Sequence, residues 1–361
     1  MQNISYRQVC IESFGYVLPS EIVSSDEIER RLDPLYERLK LPQGRLELMT
    51  GIRERRFWEP SVRPSQPSIQ SCRQAIAAPQ IDPNEIGCLI HGSVCRDFLE
   101  PATASAVHHG AGLPSDCVIY DVSNACLGIL NGVLQAANMI ELGQIKAALV
   151  VGSEGGRQLV EGTIAHLNQD QSLTRKSIKP AFASLTIGSA SSAFLLTHSS
   201  ISKTQCKVNM ASVNANTRYH DLCQSDQDQA GSSMQPLMDT DSEELLRQGV
   251  ATGKSTFELF KQQSTWQPES IDMTVCHQVG VAHQKLMLEQ LGLDPQKDFC
   301  SYPWLGNTGS AALPVTMAVA AEQQKIEPNA KLALLGIGSG INSVMIAVEY
   351  QSVPCQSNEL E

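Results

Sequence analysis

The sequence predicts an α/β protein made of two similar halves, with its site between them. Three observations carry that prediction. Short apolar and β-branched runs alternate with longer stretches of helical spacing, the pattern of a sheet buried by helices. One strand–turn–helix–strand unit occurs twice. A cysteine, a histidine and an asparagine each fall at a strand-to-helix junction, where α/β proteins hold their ligands.

The strands expected from the apolar runs are Cys88–Gly92, Val118–Val122, Ala147–Val151, Ser192–Leu196, Val208–Val213, Met273–Cys276, Leu332–Gly336 and Val344–Val348. Helical spacing predicts helices over Ala125–Leu142, Ser242–Gln263, Val281–Leu291 and Ala311–Gln323. The repeat pairs VIYDVSNACLGILNGVLQAANMIELGQIKAALVVGSEGG, from Val118, with YPWLGNTGSAALPVTMAVAAEQQKIEPNAKLALLGIGSG, from Tyr302. Each copy runs through an Asn-containing turn, a helix opening on small residues, an apolar strand and a Gly/Ser loop. A further strand, SSAFLL or SVMIAVEY, follows each. The division expected is residues 1–200 for the half with the cysteine and 201–361 for the half with the histidine and asparagine. Helical insertions at 20–70 and 153–185 belong to the first half, and 215–245 reads as another polar surface insertion.

A chain of 361 residues that is 42% hydrophobic and 18% charged can bury a large core and is not disordered. No apolar run reaches the ~18–20 residues of a membrane span. The N-terminus carries Arg7 and Glu12 and reads as a first strand, not a signal peptide, which points to the cytoplasm. Eleven scattered cysteines suit a reducing compartment, and none has zinc spacing, so no metal site is expected. A net charge of −11 speaks against a nucleic-acid surface. The one basic cluster is Arg53, Arg55 and Arg56 in GIRERRFW. It is either a salt-bridged strand edge or, through Arg53, a contact for a phosphate-bearing cofactor.

Cys126 lies in DVSNACLGILNGVL, where a strand ends and a helix is expected to begin. A thiol there would sit among unpaired N–H groups at the positive end of the helix dipole, which favours the thiolate and could hold an oxyanion. Taken alone, a cysteine at a helix start is more often structural. His277, in MTVCHQVGVAH, ends an apolar strand; a neutral imidazole there could donate to a thioester carbonyl, or could simply be a packed histidine. Asn307, in WLGNTGSAALP, stands in the second repeat where the turn before Cys126 stands in the first. Its amide could cap the helix or donate to the same oxygen as His277. Together the three form one constellation between the halves.

The segments SNAC-LG, CHQVG, LGNTGSAA and GIGSGI, in this order along essentially the whole chain, resemble the active-site motifs of the β-ketoacyl synthase III branch of the thiolase superfamily. The resemblance implies the five-layered αβαβα thiolase fold with two pseudo-symmetric halves, a homodimer, and no permanently bound cofactor, with coenzyme A thioesters as substrates. Cys126 then resembles the acyl-accepting nucleophile, and His277 and Asn307 the pair that stabilises a thioester enolate. The backbone N–H groups of Cys126 and Ser339 resemble the oxyanion hole, although Ser339 stands where the usual loop is glycine. The tryptophan that stacks on adenine in ketoacyl synthase III has no counterpart near Arg45.

Glu100, in CRDFLEPATASAVHH, lies 26 residues before Cys126. By itself it reads as a solvated loop acid, on a Glu–Pro step expected to be extended. In the head-to-head acyl-CoA condensing thiolases of long-chain olefin synthesis (the OleA type), a glutamate at this spacing reaches across the dimer into the partner's site. GIRERRFWEP, CRDFLEPAT and SLTIGSASSAF also resemble that branch, which implies later enzymes acting on the product. A Claisen reaction without decarboxylation must remove an α-proton, and a placed base is worth typically ~10²–10⁴ in rate. The expected activity is thus condensation of two acyl-CoA molecules to a 2-alkyl-3-oxoacid. The alternatives are decarboxylative condensation with malonyl-acyl-carrier protein, acyl transfer to a non-carbon acceptor, and acyl binding without catalysis.

Overall fold

A computed structural model describes residues 4–79, 81–225 and 238–358. The first part of the chain forms β1 (Ile4–Ser5), β2 (Val9–Val17), β3 (Glu21–Ser24), α1 (Ser25–Arg31), α2 (Asp33–Leu39), α3 (Arg45–Thr50), β4 (Glu54–Phe57), α4 (Ser65–Ala77), β5 (Ile86–Gly92), α5 (Thr103–Ala111), β6 (Val118–Val122), α6 (Gly128–Glu141), β7 (Ala147–Glu154), α7 (Arg157–Gln169), α8 (Lys179–Phe182) and β8 (Ala190–His198). The second part forms β9 (Cys206–Ala215), β10 (Cys223–Ser225), β11 (Met238–Thr240), α9 (Ser242–Ser264), β12 (Met273–Cys276), α10 (Val281–Leu291), α11 (Tyr302–Leu305), α12 (Ala312–Glu322), β13 (Lys331–Gly338), β14 (Asn342–Glu349) and β15 (Cys355–Ser357).

The main sheet runs β12-β13-β14-β9-β2-β8-β7-β5-β6. It is two half-sheets touching edge to edge, because β2 and β9 share only the pairs Cys10↔Lys207 and Ile11↔Cys206. From that seam each half repeats one order. β2–β8–β7 is antiparallel and then β7–β5 parallel; β9–β14–β13 is antiparallel and then β13–β12 parallel. The first half adds β6, parallel to β5. Where the second half would have its counterpart, it has a lone parallel bridge, Thr274↔Asp298.

Alternation of side chains along the strands separates three cores. Ile90, Val150 and Phe194 from one half, with Leu332, Leu334 and Ile346 from the other, close on α6 and α12 in the centre. On the far face of the first half, Leu89, Leu149 and Leu195 pack against α4 and α5. On the far face of the second, Ala333, Leu335 and Met345 pack against α9 and α10. The order is helix, sheet, helix, sheet, helix.

Two expectations change. Helix α6 begins at Gly128, not Ala125, because Ala125 has φ +44° and breaks the helical path. Residues 20–70 and 153–185 are helical, with α1–α3 and most of α4 in the first and α7 and α8 in the second, but they are not mere surface insertions. They carry a β3–β4 hairpin and α7, and they share a core in which Val23, Ile28, Leu35 and Phe57 meet Val160, Ile164 and Leu167. Of the 215–245 segment, β10 and β11 pair as a hairpin, and residues 226–237 lie outside the described residues.

Candidate active site

Cys126 lies in the turn between β6 and α6. Leu127 N donates to Asn124 O and Gly128 N to Ala125 O, so the cysteine sits on a tight bend beside the helix mouth. The bend is pressed onto the end of β5: a Cβ on Gly128 would come within 2.9 Å of Gly92 C and 3.0 Å of Ser93 N. On its other side lies the end of β13, where a Cβ on Gly338 would come 3.6 Å from Cys126 N. Asn342 Nδ2 donates to Asn124 Oδ1 (3.3 Å) and to Ser339 O (3.4 Å), tying the Cys126 turn to the glycine loop that carries Ser339. Asn124 in turn donates to Asn131 on α6.

His277 follows β12 and is 4% exposed, with its backbone N donating to Leu335 O on β13. Its ring makes no hydrogen bond among the described residues. The neighbouring Gln278 side chain accepts from Ser301 N and Tyr302 N, fastening the His277 loop to the segment that leads into Asn307. Asn307 is bridged to Ile187, with Asn307 N donating to Thr186 O and Gly188 N to Asn307 O. Its Oδ1 accepts from Gly309 N at 3.0 Å, which leaves Nδ2 as a donor without a partner among the described residues. Cys126 lies in the turn that leads from strand β6 to α6, and Asn307 in the turn that leads from helix α11, where a strand was expected, to α12.

Burial governs the titration. It pushes the Cys126 thiol up to about 12, with Glu154 and then Cys223 adding in the same direction. The shift runs against the thiolate expected from the helix mouth, although Cys126 keeps part of its surface open. Desolvation by the packed halves outweighs a helix dipole that starts two residues further on. Burial, then His283, holds His277 down at about 3, so its imidazole is neutral. His283, on α10, is itself held at about 4 by burial and has a buried Nδ1 without a hydrogen-bond partner.

Glu100 stands apart from this group within one chain. It is exposed, on the loop that leaves β5, next to a cis Glu100–Pro101 peptide, and makes no hydrogen bond or ion pair among the described residues. Arg53 is exposed too, with its guanidinium 3.6 Å from Glu54 and its backbone N donating to Pro303 O beside the Asn307 segment. Arg55, by contrast, is fully buried, donating to Val23 O, Ser25 Oγ and Leu185 O.

Sequence reasoning missed Glu154. It is the last residue of β7, is 5% exposed, and accepts from Val94 N, Cys95 N, Ser310 N and Ser310 Oγ. The repeat held a signal: aligning VVGSEGG with LLGIGSG sets this charge where the second copy has Gly338. No group of three or more His, Cys, Asp or Glu among the described residues could hold a metal, and no helix there is long and apolar enough to cross a membrane.

Residues 60–229 match the family "Thiolase, N-terminal domain", and residues 262–350 match "3-Oxoacyl-[acyl-carrier-protein (ACP)] synthase III C terminal". The chain belongs to the ketoacyl synthase III-like branch of the thiolase superfamily, a family of acyltransferase condensing enzymes, and within it groups with the acyl-CoA:acyl-CoA alkyltransferases. It is 40% identical to the acyl-CoA:acyl-CoA alkyltransferase of Shewanella oneidensis, over 96% of this chain and 100% of that one. The enzyme of the same name from Xanthomonas campestris is 32% identical over 96% and 99%. A crystal structure of Xanthomonas campestris OleA superposes with a TM-score of 0.90, covering 96% of this chain and 98% of that one at 32% identity.

Proposed function

We propose that this protein condenses two acyl-CoA thioesters without loss of CO2, through an acyl-Cys126 intermediate. The observations that carry the reading are a neutral thiol on the bend before α6, packed against the end of β13, and two donors without partners among the described residues, the neutral His277 ring and Asn307 Nδ2. Cys126 Sγ attacks the first acyl-CoA, the bond to the CoA sulfur breaks, and the thiol proton passes by way of His277 to the departing CoA thiolate. Glu100 of the partner subunit removes an α-proton from the second acyl-CoA while His277 and Asn307 hold the enolate oxygen. The carbanion attacks the acyl-Cys126 carbonyl, whose oxygen is received by the N–H groups of Cys126 and Ser339. The bond to Cys126 breaks, and hydrolysis of the CoA thioester leaves a 2-alkyl-3-oxoacid. The alkyltransferase relatives support this reading, as does the Xanthomonas campestris OleA structure with bound lauric acid and lauroyl-CoA.

Delivery of Glu100 in trans needs a homodimer. Strand β6 ends the sheet with an open edge, Val118 is 49% exposed, and the loop before Glu100 offers Val94, Phe98 and Leu99 to solvent, Leu99 at 67%. A row of unpaired backbone groups flanked by apolar side chains suits a second copy. Arg53 is the contact we assign to a CoA phosphate. Eleven free cysteines agree with a reducing, cytoplasmic setting.

The test is incubation with myristoyl-CoA as sole substrate, followed by mass spectrometry. The expected product is the 2-alkyl-3-oxoacid or the long-chain ketone it yields, lost in Glu100→Ala while Cys126 still acylates. Acyl-enzyme that condenses only when a malonyl thioester is supplied, with CO2 release, would overturn the proposal in favour of the decarboxylative reaction.

A further inference from the structure

Glu154 is a buried carboxylate with no cation against it among the described residues. Four donors surround it instead, and they come from two places. Val94 N (3.0 Å) and Cys95 N (3.1 Å) belong to the loop that runs on to Glu100. Ser310 N (3.2 Å) and Ser310 Oγ (2.5 Å) belong to the turn that starts at Asn307. The fit is tight on the second side: a Cβ on Gly309 would meet the Glu154 carboxyl carbon at 3.1 Å. The carboxylate's own strand is pinned as well, since Trp58 Nε1 donates to Glu154 O at 2.9 Å. Hydrogen bonds to a buried carboxylate are short, strong and directional, so the Asn307 turn and the Glu100 loop cannot move independently while Glu154 holds both.

We propose that Glu154 is a positioning residue that links the two active sites of the dimer, fixing its own subunit's Asn307 turn to the loop that delivers Glu100 into the other subunit's site. The inference rests on the reading above, in which Glu100 acts in trans. It assigns Glu154 no contact with substrate. In Glu154→Gln the amide keeps Oε1 towards Ser310 and Val94 N and turns its NH2 towards Cys95 N–H, so one of the two bonds to the Glu100 loop is replaced by a donor-donor clash. In Glu154→Asp the charge stays, but a side chain shorter by one methylene cannot reach both sets of donors.

The effect in trans is the decisive readout. Mixed dimers of Cys126→Ala and Glu100→Ala chains contain one working site, with Cys126, His277 and Asn307 from one chain and Glu100 from the other. Glu154→Gln is then placed on the Cys126→Ala chain alone, so the working cysteine, histidine and asparagine sit in an otherwise unaltered subunit. We expect condensation of myristoyl-CoA to fall on the order of 10- to 100-fold, the scale of a misplaced catalytic group, while radiolabelling of Cys126 by acyl-CoA is unchanged. Glu154→Asp on that chain gives a loss in the same direction, and covers the case in which the Gln chain fails to assemble. Unchanged condensation with both substitutions would overturn the inference. A reference mixture with no condensation at all would instead overturn the delivery of Glu100 in trans.

Discussion

The resting state of Cys126 can be tested directly. With the thiol pushed up to about 12, roughly one molecule in 10⁵ carries a thiolate at pH 7, against a few per cent for an ordinary cysteine. Alkylation by iodoacetamide, followed by peptide mapping at Cys126, should therefore accelerate about tenfold per pH unit from pH 7 to 10 without levelling off. A free thiol such as glutathione levels off near pH 9 under the same conditions. Glu154 is the largest cause after burial, and its negative charge disfavours the thiolate, so Glu154→Gln should move the curve to lower pH. A plateau below pH 8 in the unaltered protein would refute the reasoning, because it would mean that the helix mouth stabilises the thiolate more than burial opposes it. If the thiol is neutral at rest, its proton leaves only in the encounter with acyl-CoA, and acylation should show a solvent deuterium isotope effect.

Mixing Cys126→Ala and Glu100→Ala chains should restore about a quarter of the unmixed activity, since half the dimers are mixed and each has one working site of two; no recovery argues against a shared site. His91, His277 and His283 are held at about 4, 3 and 4 by burial. Unfolded, each takes up a proton near pH 6.5, so stability should be full above that pH and fall as pH drops towards 4, with as many as three protons bound on unfolding; urea midpoints that stay flat from pH 7 to 4.5 would contradict this. Gly128→Ala meets backbone at 2.9 and 3.0 Å, so the Cys126 bend must shift by a few tenths of an ångström. That should cost about 1–3 kcal/mol of stability, and slow acylation by roughly tenfold or more, read from urea melts and the burst of CoA release.

The strands were legible because central strands covered on both faces write themselves as unbroken apolar runs, as Ala147–Val151 and Leu332–Gly336 do; the edge strands Val118–Val122 and Met273–Cys276 also fall as expected. Cys126 and His277 stood out in the sequence because each follows a strand; Asn307 follows the short helix α11 rather than the strand expected before it, and only the repeat picked it out. The start of α6 was not, since nothing in an alanine announces a left-handed backbone; the turn imposes it on Ala125. The titration of Cys126 was misjudged for a related reason. A local motif displays the helix dipole, whereas the desolvation that outweighs it comes from strands and loops far along the chain. The bounds of helix α7 inside the helical insertion at 153–185 were not legible, because its apolar residues, Val160, Ile164 and Leu167, face a small core supplied by residues 20–60 rather than the main one. Glu154 was passed over because its partners are mostly backbone N–H groups, which no side-chain pattern reveals.

The two ends of the sheet differ in what they offer. One end is β6, five residues long with its outer edge open. The other is β12, four residues long, whose outer side is already taken by the Asp298 bridge and by Phe299 N donating to Thr274 O. A repeat that kept both edges open could add copies at each end and grow into a ribbon. With one edge stopped, a dimer paired through β6, as proposed above, would use the same surface on both molecules and end at two. The small difference between the halves would then make such an assembly finite.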